Sequence, residues 1–169
     1  MEMAGRTPRR ILVGLEHSEE AAAGLRRGVA MATAGRAELT LVHVVVPPPA
    51  WAGVGMLAMP LVEDVEAMGC ELMHRVVEEL PDDLAVRWHL VTGPEACAGI
   101  SRARCVRRAL RCVLERGDHD VLVLGTGVRP GRIASALSRE LPDRVVTVPY
   151  SAPADVVSGA PTARSVLAD

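Results

Sequence analysis

The amino-acid sequence predicts an α/β domain: a five-stranded parallel sheet with helices on both faces. Two observations carry that expectation. Short apolar runs rich in β-branched residues recur along the chain, and each is followed by a stretch with helical spacing of apolar residues. The length of 169 residues, with 49% hydrophobic and 24% charged, suits one domain with its own core and excludes a disordered or collagen-like chain.

The elements follow in order. RILVGL, Arg10 to Leu15, reads as the first buried strand. Ser18 followed by Glu19 and Glu20 is an N-cap with acids in the first helical turn, and Leu25, Val29 and Ala32 recur at helical spacing up to Gly35. ELTLVHVVV, Glu38 to Val46, is the second strand, ended by Pro47, Pro48 and Pro49. Ala50 to Pro60 reads as a loop whose Trp51, Met56 and Met59 could cover an apolar ligand or close an empty pocket. Leu61 to Leu80 is a helix with Val65, Met68, Leu72, Val76 and Leu80 on its apolar face.

Pro81 turns the chain into a third strand, Leu84 to Val91, ended by Thr92, Gly93 and Pro94. Ala96 to Arg116 reads as mostly helix, stopped by Gly117. Val121 to Leu124 is the fourth strand, and a glycine-containing loop runs from Gly125 to Gly131. A helix from Arg132 to Leu141 leads to the fifth strand, Val145 to Val148. The division expected is an N-terminal extension over 1–9, the domain over 10–149 and a flexible tail over 150–169.

Composition excludes several chemistries. The chain contains no Lys, Asn, Gln or Phe, and all 19 basic residues are Arg. No lysine can form a Schiff base or complete a Walker A loop. Trp51, Trp88 and Tyr150 are the only aromatics, too few for a base-stacking platform, so nucleic acid is not an expected partner. No apolar run reaches transmembrane length and no signal-peptide core follows Met1 to Arg10, so a cytoplasmic protein without a membrane partner is expected. Cys70, Cys97, Cys105 and Cys112 form no C-x-x-C pair and read as free thiols, and no metal-ligand spacing is present.

At ILVGLEHSEEA, LTLVHVV, VTGPE, VLVLGTG and LPDRVVTVP the sequence resembles the universal stress protein family, over about residues 9 to 149. The resemblance implies the sheet of that family and its adenine nucleotide hydrolase-like relatives, a homodimer through the last strands, a stress-response role and, in one branch, ATP binding. Glu16 takes the place of the family's nucleotide-contacting Asp, and Val44 falls at the backbone contact for adenine. The family's phosphate loop runs Gly, two residues, Gly, nine residues, then Gly followed by Ser or Thr. Gly125 opens the loop, followed by Thr126 and Gly127, Gly131 aligns with its closing glycine, and Arg132 stands where the hydroxyl residue is expected. Only five residues separate Gly125 from Gly131, so most of the loop that would wrap a triphosphate is missing. A small anion nest with Arg129 and Arg132, or a plain strand-to-helix turn, are the two readings of what is left.

Gly93 to Asp120 is longer than the corresponding family connection. Arg104, Arg107, Arg108 and Arg111 make one stripe of its helix, which reads as a solvated face pairing with the acidic helix at 61–80, or as a dock for an acidic protein partner. Glu16 and His17 at a strand end allow acid–base chemistry on a small substrate, but no second convergent group accompanies them. His43 and His89 read as strand histidines, His74 and His119 as surface ones. The expectation is therefore a small binding or regulatory module with no catalytic residue, weak or lost ATP binding, and ATP or AMP as the candidate cofactor.

Overall fold

A computed structural model describes residues 7–16, 18–46, 59–92 and 101–150, with the side chains of 59–62 excepted. The elements are β1 (Arg10–Leu15), α1 (Glu19–Gly35), β2 (Glu38–Val45), α2 (Met59–Glu78), β3 (Val86–Thr92), α3 (Arg102–Arg116), β4 (Val121–Thr126), α4 (Arg132–Glu140) and β5 (Val145–Pro149). All neighbouring strands pair in parallel, in the order β3-β2-β1-β4-β5. The predicted five-stranded sheet is therefore present.

The order of strands places the helices. The chain steps from β1 to β2 to β3 in one direction, then returns to the other side of β1 for β4. Right-handed crossovers reverse faces at that point. One core, around Ile11, Val13, Leu39, Leu41, Val121 and Val123, accordingly packs with Ala32 of α1 and Met73 of α2. The other, around Leu12, Val42, Leu122 and Leu124, packs with Leu110 and Leu114 of α3 and Leu137 of α4. The two faces of β1 alternate between these cores, as strands buried on both sides must.

Local signals explain most boundaries. Ser18 caps α1 through its side chain, which accepts from the Ala21 amide at 3.1 Å. Arg36 closes the helix in the left-handed region at φ 49. On α2, Leu72 is buried and Val76, with Leu80 just beyond the helix, packs against the core as expected, but Met68 is 60% exposed, and Gly69 and Met73 face the sheet beside them. A Cβ on Gly69 would lie 2.7 Å from Leu90 Cδ1, so α2 approaches β3 more closely there than a side chain allows. Met59, expected in the loop, belongs to α2.

β4 runs two residues further than its apolar core suggests. Gly125 pairs with Val148 and Thr126 with Pro149, and the Tyr150 amide donates to the Thr126 carbonyl at 2.7 Å. Residues 47–58 with Trp51 and Met56, residues 93–100 with Cys97, and the tail beyond Tyr150 lie outside the described residues. Cys70 and Cys112 are free thiols as expected. Cys105 is not: it is disulfide-bonded.

His119 also departs from expectation. The Gly117-Asp118-His119-Asp120 run looks like an exposed turn, yet His119 is 5% exposed. Its Nδ1 hydrogen-bonds the Val113 carbonyl at 3.2 Å, and the Arg144 guanidinium donates to the His119 carbonyl. Burial lowers its pKa, with smaller contributions from His89 and Arg10, against an opposing pull from the Val113 carbonyl and Glu38. Below about pH 6.5 the unfolded chain then takes up a proton that the folded chain refuses. Stability is expected to fall as pH drops through that value. Thermal melts between about pH 7.5 and 5.5 should show this slope, and His119→Gln should flatten it.

Candidate functional site

The strand order has its switch point between β1 and β4, where a doubly wound sheet opens a crevice at its carboxyl edge. A cavity of about 880 Å³ lies there. Its floor is apolar, made by Val42 and Val44 from β2, Leu124 from β4, and Val106 and Leu110 from α3. Glu16 and Glu20 stand on the side of β1 and α1, and Arg102, Arg129 and Arg132 on the side of α3 and α4. The cavity is therefore lined by both carboxylates and guanidinium groups together with apolar side chains.

All of the residues singled out from the sequence, Glu16, Val44, Gly125, Thr126, Gly127, Gly131 and Arg132, line this one cavity. They do not stand there for the same reason. A Cβ on Gly125 would lie 1.6 Å from the Glu20 carbonyl oxygen and 2.3 Å from its carbon. A Cβ on Gly24, one turn further along α1, would lie 2.5 Å from the Gly125 nitrogen. The first turns of α1 thus rest directly on β4, and Gly125 is required by that packing. Thr126 is 5% exposed, and its hydroxyl donates to the Val148 carbonyl at 3.4 Å.

Gly127 and Gly131 differ. Around Gly131 a Cβ would meet nothing within 4 Å; around Gly127 it would meet only Glu20 Oε1 at 3.6 Å and the Arg129 carbonyl at 4.0 Å. Gly131 sits at φ -64, which any residue adopts. Protein packing does not demand a glycine at either position. Their bare backbones line the cavity at the start of α4, whose N-cap makes no side-chain hydrogen bond. The Ser135 hydroxyl donates to the Pro130 carbonyl at 3.1 Å and holds the connection against the helix.

α3 brings a group that the sequence reading missed. Its N-cap, Ser101, makes no side-chain hydrogen bond, and its first residue, Arg102, lines the cavity. In the sequence Arg102 is one arginine among many, and only the placement of α3 distinguishes it. The predicted stripe behind it is partly consumed. Arg107 pairs with Glu140 of α4 at 3.0 Å and Arg111 with Glu115 of its own helix at 2.9 Å. Pairing with α2 is excluded, because α2 covers the opposite face of the sheet. Arg104 and Arg108 are exposed and make no ion pair among the described residues.

Glu16 is exposed, and the Ser18 hydroxyl donates to its carboxylate at 3.2 Å. His17 lies outside the described residues. His43 is half-buried on β2, and its Nδ1 hydrogen-bonds the Leu15 carbonyl at 2.8 Å. Among the described residues no three His, Cys, Asp or Glu side chains come together as a metal site, and no helix is long and apolar enough to cross a membrane. A second hollow of about 620 Å³ lies at the opposite edge of the sheet, lined by Arg9, Arg36, Glu38 and Asp83 among others.

A family model described as the universal stress protein family matches residues 7–147. No curated protein matches the chain. Among solved structures, a universal stress family protein from Burkholderia pseudomallei is 22% identical with a TM-score of 0.64, covering 86% of this chain and 99% of that one. A universal stress family protein from Arabidopsis thaliana, solved with AMP bound, is 14% identical with a TM-score of 0.56, covering 89% and 99%. A universal stress protein in complex with cAMP is 15% identical with a TM-score of 0.54, covering 85% and 98%.

Proposed function

We propose, for a chain that belongs to the universal stress protein family, a small binding module that takes an adenine nucleotide in the cavity beside β1 and β4 and has a weak grip on ATP. The observation that carries this reading is the pair Gly127 and Gly131. Neither conformation nor packing explains a glycine at Gly131, and packing leaves Gly127 open, while both leave backbone free at the start of α4. Backbone amides at a helix start, with arginines beside them, are an anion site. The adenine nucleotides bound by two structural relatives agree with it.

The residues present fit such a ligand. Val42, Val44, Val106 and Leu110 offer an apolar bed for a base. Glu16 offers acceptors for ribose hydroxyls. Gly127, Gly131, Arg129 and Arg132 would hold phosphate. The connection between β4 and α4 is only residues 127–131, which supports a phosphate site too short to wrap a triphosphate. Binding would alter the connections around the cavity, and that change is the regulatory signal.

The same proposal includes a homodimer. β5 pairs only with β4 among the described strands, and its Val145, Val146 and Val148 are half-buried. A second reading, docking of an acidic protein, is favoured by Arg104 and Arg108, exposed and without an ion pair among the described residues. Calorimetry with AMP, ADP and ATP tests the nucleotide reading. AMP is expected to bind, and ATP with magnesium to bind more weakly. Tight, magnesium-dependent ATP binding would overturn the weak grip, and no binding by any of the three would overturn the site.

A further inference from the structure

We propose that Arg102 is a specificity-determining residue of this cavity: with Glu20 beside Gly127, it selects a nucleoside monophosphate, bound without a divalent cation, over a triphosphate. The inference rests on the nucleotide reading above and adds to it the layout of charge. Arg102, Arg129 and Arg132 line the cavity from two different elements, and none of them has an ion-pair partner among the described residues. A dianionic phosphate is matched by such groups through bidentate, charge-assisted hydrogen bonds. Arginines that neutralise the phosphate remove the need for magnesium, which is usually held by carboxylates together with several phosphate oxygens.

Glu20 penalises a longer phosphate chain. Glu20 Oε1 lies 3.6 Å from where a Cβ on Gly127 would stand, so its carboxylate sits against the first residue of the β4–α4 connection. Phosphates extended along that connection would meet this carboxylate, and like charges at such range repel. A single phosphate at the start of α4, held with Arg102 and Arg132, brings less negative charge to it than a triphosphate does. Arg102 stands at the start of α3, exposed and outside both cores, so its replacement leaves the packing of the helix intact.

The test is isothermal titration of the full chain with AMP and with ATP, each with and without magnesium, on the wild type and on Arg102→Ala, Arg102→Lys and Glu20→Gln, with melting temperatures to confirm folding. Wild type is expected to prefer AMP, with no response to magnesium. Arg102→Ala should weaken AMP by about tenfold, and Arg102→Lys should recover part of that loss. Glu20→Gln should raise affinity for ATP more than for AMP, narrowing the preference. AMP binding by Arg102→Ala equal to wild type would overturn the inference while leaving the nucleotide site in place. A preference unmoved by Glu20→Gln would overturn the role of Glu20. No nucleotide binding by the wild type would overturn the site itself and this inference with it.

Discussion

Gly125→Ala is expected to destabilise the protein by about 3 kcal/mol or more, the upper end for overpacking. The added methyl would lie 1.6 Å from the Glu20 carbonyl oxygen, 2.3 Å from the Glu20 carbonyl carbon and 2.9 Å from the Ala21 nitrogen. These are backbone atoms of the first turn of α1, which cannot rotate away as a side chain can. Either α1 lifts from β4 or the end of β4 leaves its register with β5. Urea unfolding would show the loss as a lower midpoint. Gly131→Ala is the matching control. Nothing stands within 4 Å of its Cβ, so stability should change by no more than about 1 kcal/mol. Nucleotide affinity should still fall, since the methyl enters the cavity. The pair separates a glycine kept for packing from one kept for a ligand.

Leu137→Ala should cost about 3 kcal/mol and also weaken nucleotide binding. Leu137 is 0% exposed and is the largest buried side chain of α4; Ala134 and Ala136 are the helix's other buried residues, and Ile133 is only partly buried. A nine-residue helix is too short to hold itself without such an anchor. Its start carries Gly131 and Arg132, so loosening the anchor disorders the phosphate end of the cavity. Chemical denaturation and nucleotide titration of this one variant would report both effects. A stability loss with unchanged affinity would show that α4 is positioned by its N-terminal connection instead.

The fold was largely legible because burial on two faces leaves a plain signal. The inner strands β1, β2 and β4 carry near-continuous apolar runs, the edge strand β3 instead alternates half-buried Val86, Trp88 and Leu90 with exposed Arg87 and His89, and Ser18 with Glu19 and Glu20 marks the start of α1. What was not legible depends on contacts between distant segments. Gly125 and Thr126 look like loop residues until pairing with β5 makes them strand. Met68 looked apolar enough for the core, but Gly69 beside it makes the close approach to β3 and Met68 stays exposed. His119 sits in a turn-like run, and its burial arises from the return of the chain towards β1. Within the site, the motif residues could be listed from the sequence, but their roles could not. Gly125 and Gly131 are equivalent as letters and opposite as environments. Arg102 became visible only when the reversal of strand order set the start of α3 beside the end of β1.

The central claim is that a nucleotide phosphate is held by the open backbone at the start of α4. Titrating the protein with AMP while following its backbone amide resonances tests this most directly. The account predicts saturable shifts at Gly127, Gly131 and Arg132, with smaller ones at Val44 and Glu16. Saturation with those amides unmoved, or with shifts confined to Arg9 and Arg36 at the opposite edge of the sheet, would contradict it.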